Sequence, residues 1–147
     1  EVFEEDLPLF FEHQSDPVAH RMAAFTPRER EAFTVHWMSI LHDDAVVART
    51  IVADGEIAGN IVCFEHAGRM EIGYWIDRRR WGKGIATRAV QQFLAQIQRR
   101  PLFAHVAQHN APSVRVLEKC GFTIAGEEKD FSRIDGEAVP GWIFRLG

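Results

Sequence analysis

The stretch Arg79-Arg80-Trp81-Gly82-Lys83-Gly84-Ile85-Ala86-Thr87 limits the folds open to this chain more than any other. It joins a strand-like run, Met70-Glu71-Ile72-Gly73-Tyr74-Trp75-Ile76-Asp77, to a helix-like run from Ala86 to Gln98. A glycine turn between a strand and a helix start is an anion site. Glycine lets the backbone come close to a ligand. The first amides of the helix have no partner within it, and the helix dipole favours negative charge there. A phosphorylated ligand is therefore expected.

Two common phosphate motifs fail. A P-loop needs Lys followed by Ser or Thr, and here Gly84 follows Lys83. The dinucleotide fingerprint wants a glycine at its sixth position, where this chain has Thr87. It also wants an acidic residue at the end of the next strand. The strand candidate Leu102-Phe103-Ala104-His105-Val106-Ala107 instead runs into Gln108-His109-Asn110.

A third pattern fits. Arg79-x-x-Gly82-x-Gly84 resembles the acyl-CoA pyrophosphate loop of the GNAT superfamily of N-acetyltransferases. The block Asn110-Ala111-Pro112-Ser113-Val114-Arg115-Val116-Leu117-Glu118-Lys119-Cys120-Gly121-Phe122 is similar to the element that follows in that superfamily, an Asn-started helix closed by Gly-Phe. Glu71-Ile72-Gly73-Tyr74-Trp75-Ile76 resembles the acetyl-site strand of the branch related to ribosomal-protein N-terminal acetyltransferases. The likeness covers roughly residues 57–131 well and the N-terminal part loosely. It implies an α+β fold with a mixed, largely antiparallel central sheet flanked by helices, and acetyl-CoA as acyl donor.

Composition sets outer bounds. With 147 residues and 46% hydrophobic content, one domain spanning 1–147 is expected. No apolar run is long enough for a membrane span, and no signal-peptide pattern opens the chain. The first residue is not Met, so a trimmed N-terminus is expected. Cys63 and Cys120 give neither a disulfide framework nor metal spacing, and read as small buried hydrophobes. A cytoplasmic setting follows. The net charge of −4 argues against nucleic acid as a partner. The seven histidines show no ligand cluster, so no metal is expected.

Periodicity yields a coarse map. Helices are expected over 4–13 and 28–41, with a short helical segment between, punctuated by Pro17 and Pro27. Strands are expected over 45–53, 57–65 and 69–77, with Asp54-Gly55 as a hairpin turn. A helix over 84–98 should bury Ile85, Ala89, Phe93 and Ile97. A strand at 102–107, a helix at 111–120, a strand at 122–131, a loop at 132–141 with a turn at 135–136, and a strand at 142–146 complete it.

The chemistry sets two needs. The amine must be neutral to attack a thioester. An amine of pKa ~10.4 is about 0.04% neutral at pH 7, a deficit of roughly 4–5 kcal/mol. A carboxylate near the acetyl site removes that proton, and Glu71 is the candidate base, with Glu65 and His66 behind it. The plain alternative is a strand Glu paired with Arg69 or with a neighbouring strand. The leaving thiolate needs a donor. Many superfamily members use a Tyr seven residues after the Asn, but Leu117 stands there and Tyr74 is the single tyrosine. The resemblance points instead to Ser113. The expected oxyanion donor is a backbone N–H of strand 72–76.

For the donor site, the backbone from Gly82 through Lys83, Gly84, Ile85, Ala86 and Thr87 should hold the pyrophosphate. Arg79, Lys83 and Arg80 add positive charge nearby, and Ile76 ends the strand beside it. Asn110 should cap its helix, with Pro112 in the first turn. The resemblance adds a contact from Asn110 to the pantetheine arm. Gly121 and Phe122 should form a Schellman ending. Trp75, Trp81 and Tyr74 bracket the acetyl site. The expected activity is direct acetyl transfer to a primary amine, carried by a small molecule or a protein N-terminus, by a monomer or homodimer. The alternative is a non-catalytic acyl-CoA-binding sensor or interaction module. The first two helices and the 132–141 segment should set the acceptor.

Overall fold

The computed structural model describes residues 1–24, 27–134 and 136–147. After a 3-10 turn at Glu4–Asp6 come α1 (Leu7–Gln14), α2 (Pro17–Ala23) and α3 (Arg30–Leu41). Then follow β1 (Val47–Ala53), β2 (Glu56–His66), β3 (Arg69–Ile76), α4 (Ile85–Gln96), β4 (Leu102–Ala107), α5 (Ala111–Lys119), β5 (Thr123–Ile134) and β6 (Glu137–Leu146). The result is the expected mixed α+β fold.

Local chemistry starts and stops these elements. Asp16 accepts from the amides of Val18 and Ala19 and so caps α2, with Pro17 in its first turn. Asp54 and Gly55 both have positive φ, the twist that joins β1 to β2 as a two-residue hairpin. Gly121 at φ 94 closes α5. Its N–H bonds to the Glu118 carbonyl and that of Phe122 to the Leu117 carbonyl, a Schellman pair.

The six strands run in the order β1-β2-β3-β4-β6-β5. All neighbours are antiparallel except β3 and β4. That parallel pair touches only at Met70↔Leu102 and Glu71↔Phe103. Beyond those residues the strands part, although each continues to Ile76 or Ala107. The sheet is thus split along one seam.

Strand alternation gives the two faces different partners. Ile72, Tyr74 and Ile76 join Ile85, Val90 and Phe93 of α4 and Leu117 of α5 in the main core. Burying side chains such as Phe93, Leu117 and Phe144 contributes about 1.5–3 kcal/mol each. On the other face, Phe10 of α1 and Phe33 and Trp37 of α3 pack with Val62, the neighbour of Gly73. Glu71, Gly73 and Trp75 belong to this second face.

Three expectations need correction. The segment 4–13 is not one helix, because Pro8 starts α1 and the residues before it form the 3-10 turn. In α4 it is Val90, not Ala89, that is fully buried beside Ile85 and Phe93. Residues 132–134 and 137–141 belong to β5 and β6 and are not loop. Ser132↔Val139, Arg133↔Ala138 and Ile134↔Glu137 extend the β5–β6 pairing to the hairpin end. Within β6, Gly141 serves close packing. A Cβ there would lie 2.7 Å from the Phe131 side chain. The turn expected at 135–136 lies partly outside the described residues.

Candidate active site

The parted strands open a cavity of about 300 Å³. Its walls come from the end of β3, the glycine loop, the start of α4 and the first turns of α5, with Ala19, Met22 and Ala23 of α2 across the mouth. Most of the expected donor-site residues meet here. Gly82, Gly84, Ile85, Ala86 and Thr87 line it on the loop side, and Ile76, Asn110 and Ser113 elsewhere.

The loop has the predicted conformation. Gly82 and Gly84 sit at φ 77 and 76, in the left-handed region that glycine enters without penalty. Gly84 caps α4, and the amides of the first turn beyond it have no partner within the helix. Trp81 pins the loop by donating its indole N–H to the Ile76 carbonyl at 3.0 Å. Asn110 caps α5 by accepting from the Ser113 amide at 3.3 Å.

The charges are distributed differently from the expectation. Arg79 turns back to Asp77, with its guanidinium 2.9 Å from the carboxylate, and does not line the cavity. Burial disfavours a charged Asp77, but the hydrogen bonds from Arg79 outweigh it and hold the carboxyl below its usual range. Lys83 faces a second hollow of about 430 Å³ with Arg49 and Arg88. The positive charge in the cavity wall belongs to Arg80, Arg115 and Lys119. Arg115 and Lys119 lie one turn apart on α5 and make no ion pair among the described residues. The i, i+4 spacing of two cations beside Ser113 was the available signal for them.

Tyr74, which the sequence places beside the acetyl site without a chemical role, has a partner there. Its hydroxyl lies 2.5 Å from Ser113 Oγ, and both line the cavity. Burial pushes its pKa up to about 12, against a smaller lowering by the Ser113 hydrogen bond. Leu117 is buried in the core and does not line the cavity.

Glu71 lies at the last point of β3–β4 contact, on the sheet face away from Tyr74. It is 9% exposed and does not line the cavity. Its partner is not Arg69, whose guanidinium sits over the Phe103 ring. It is His105, with Nε2 3.4 Å from Glu71 Oε2. Glu65 and His66 are exposed at the β2–β3 hairpin. Cys63 and Cys120 are free thiols, both pushed up by burial. Among the described residues, no group of three or more His, Cys, Asp or Glu side chains is arranged to hold a metal ion.

A sheet parted at its one parallel seam, with a glycine loop and a helix start at the opening, is the architecture of an acyl-CoA-dependent acyltransferase. The chain belongs to the GNAT acetyltransferase family: the family described as "Acetyltransferase (GNAT) domain" matches residues 1–123. It is 26% identical to the uncharacterized N-acetyltransferase p20 of Bacillus licheniformis, over 97% of this chain and 87% of that protein. Among the solved structures that share its fold are two N-acetyltransferases. Spermidine N-acetyltransferase from Vibrio cholerae, in complex with CoA and spermine, superposes with TM-score 0.85 at 19% identity, over 99% of this chain and 91% of that one. Ribosomal-protein-alanine N-acetyltransferase from Brucella melitensis gives TM-score 0.83 at 18% identity, over 99% and 96%. No helix of the described residues is long and apolar enough to cross a membrane.

Proposed function

We propose that this chain transfers an acetyl group from acetyl-CoA directly to a primary amine, borne by a small molecule or a protein N-terminus. The observation that carries this reading is the β3–β4 gap, which has an anion cradle at one end and the Tyr74–Ser113 pair in its wall. The amides at Gly82–Thr87 suit a pyrophosphate. Arg80, Arg115 and Lys119 supply the positive charge there, with Arg79 and Lys83 engaged elsewhere. The V. cholerae neighbour's complex with CoA supports the choice of donor.

Glu71 is the base in this reading. It sits at the apex of the gap, where the strands separate and an amine can meet a thioester. The raised thiol pKa values of Cys63 and Cys120 favour direct transfer over a cysteine intermediate. Ser113 hydrogen-bonds the departing sulfur. Tyr74 is a poor proton source, since its pKa of about 12 exceeds a thiol's by roughly 3.5 units, an uphill step of about 4–5 kcal/mol. Its part is to donate to Ser113 Oγ and leave the serine hydrogen free to turn into the cavity. The β3 amides beyond Glu71 that lose a β4 partner are the oxyanion donors.

A free-thiol assay with acetyl-CoA tests this across N-terminal-alanine peptides, spermidine and aminoglycosides. Turnover with at least one amine is expected, and Glu71→Gln should lower kcat by about 10²–10⁴-fold while CoA still binds. Tight CoA binding with no turnover on any amine would make the chain a binding module instead.

A further inference from the structure

His105 has a role that neither the glycine loop nor the Tyr74–Ser113 pair requires. Its ring lies between two carboxylates from different strands. Nδ1 is 2.5 Å from Glu128 Oε1 of β5, and Nε2 is 3.4 Å from Glu71 Oε2 of β3. An ionised carboxylate only accepts, so the hydrogen sits on Nδ1 and is donated to Glu128. Nε2 is then a lone pair. It is buried and makes no hydrogen bond, because it and the ionised Glu71 Oε2, 3.4 Å away, are both acceptors. A buried imidazole nitrogen without a donor is a rare and costly arrangement. It is relieved when a proton occupies the space between Nε2 and Glu71 Oε2.

We propose that His105 and Glu128 form a proton exit line behind Glu71, and that the line is loaded once per turnover. The inference rests on Glu71 being the base. An ammonium acceptor gives up two protons on becoming an amide. One ends on the released thiol. The other passes from the amine nitrogen to Glu71 Oε, making a carboxylic acid, then to His105 Nε2, restoring the carboxylate and making an imidazolium. Glu128 balances that positive charge, and the imidazolium loses a proton to water. Side-chain exposure rises along this path, from 11% at Glu71 to 24% at His105 and 34% at Glu128. The buried end is at the apex of the gap, and the open end is on the β5–β6 hairpin side.

The topology explains why these residues meet. β4 is parallel to β3 only at its start, and β6 inserts between β4 and β5. Ala104 and Val106 point into the main core, so His105 points to the opposite face with Glu71. Opposite Glu128, β6 carries Gly141, whose missing side chain leaves room for the Phe131 side chain.

The test compares wild type, His105→Gln, His105→Ala and Glu71→Gln with acetyl-CoA and whichever of spermidine or the N-terminal-alanine peptide turns over. His105→Gln keeps an amide to donate to Glu128 but cannot carry a proton. Its kcat is expected to fall 10–100-fold with KM for acetyl-CoA within twofold and an unfolding midpoint close to wild type. His105→Ala should regain at least a third of its lost rate with added imidazole, after subtraction of the enzyme-free reaction. If Glu71→Gln abolishes turnover while His105→Gln stays within twofold of wild type, the exit line is overturned and the base survives. A His105→Ala loss that imidazole does not restore also overturns it. If Glu71→Gln keeps full kcat, the base reading fails, and the exit line fails with it.

Discussion

The hydroxyl of Tyr74 lies 2.5 Å from that of Ser113, joining β3 to the first turn of α5 beside the gap that β4 leaves. The tyrosine takes no part in the loop motif, yet its hydroxyl meets that of Ser113 in the cavity wall. Ser113→Ala should lower kcat about 10–100-fold, at the weak end of acid–base effects because a thiolate leaves readily. Tyr74→Phe should cost about 3–10-fold, and the double variant should be no worse than Ser113→Ala. That non-additivity is expected of residues acting in series. Independent, multiplying losses would separate the two roles.

Tyr74 also makes a spectroscopic prediction. It is the single tyrosine, so ultraviolet titration reads it alone. Its pKa is raised to about 12, so the folded state holds the proton more tightly than the unfolded chain. The stability this brings is complete below about pH 10 and is lost as pH rises from there towards about 12. Tyrosinate absorbance appearing at pH 10 in the folded protein would contradict the buried placement.

A glycine on β2 offers a stability test. A Cβ on Gly59 would come within 1.9 Å of the Trp75 carbonyl oxygen, and both are backbone held by strand pairing. Gly59→Ala should destabilise by about 3 kcal/mol or more, beyond ordinary overpacking. Gly82→Ala meets nothing within 4 Å and suffers only its positive φ, about 1–2 kcal/mol. Urea unfolding of the two variants should therefore rank them clearly, and equal losses would refute the contact.

A buried histidine sets the acid side of the stability profile. His13 of α1 packs with Nε2 3.7 Å from Asp77, and burial lowers its pKa, against a raising effect of Asp77. A depressed histidine favours the neutral form in the fold. Its contribution is whole above about pH 6.5 and is lost as pH falls through the folded value. The unfolding midpoint should drop between pH 7 and 5, and His13→Gln should flatten that slope. His36, also lowered by burial, leaves a residual slope. An unchanged slope in the variant would discharge His13 from this role.

The two cations on α5 should govern donor affinity. Arg115→Ala and Lys119→Ala should each weaken CoA binding about 3–10-fold, with a smaller salt dependence and little change in kcat at saturation. Arg79→Ala should weaken it less, because that guanidinium is engaged by Asp77. Calorimetry at two salt concentrations reads both effects, and the reverse ranking would return the charge role to the loop.

How far the sequence could be read depended on the range of the forces. Gly82, Gly84, the Asn110 cap and the Gly121-Phe122 ending are local devices, each set within a few residues, and the structure has them as expected. The β5–β6 hairpin runs further than local signals show, because cross-strand pairing carries Ser132 to Ile134 and Glu137 to Gly141 as strand. Only the facing Phe131 explains the glycine. Arg79 and Lys83 were assigned from proximity in sequence, while a competing carboxylate and the turn of the helix moved them away.

Taken alone, the sequence determined the α+β class, the strand–glycine–helix cradle and the family resemblance, because periodicity and φ preference act over short spans. Tertiary structure decided which side chains share the gap. The pairing of Tyr74 with Ser113, and the row of Glu71, His105 and Glu128, arise where strands far apart in sequence become neighbours. Strand order depends on how the whole core packs, and no short stretch of residues encodes it.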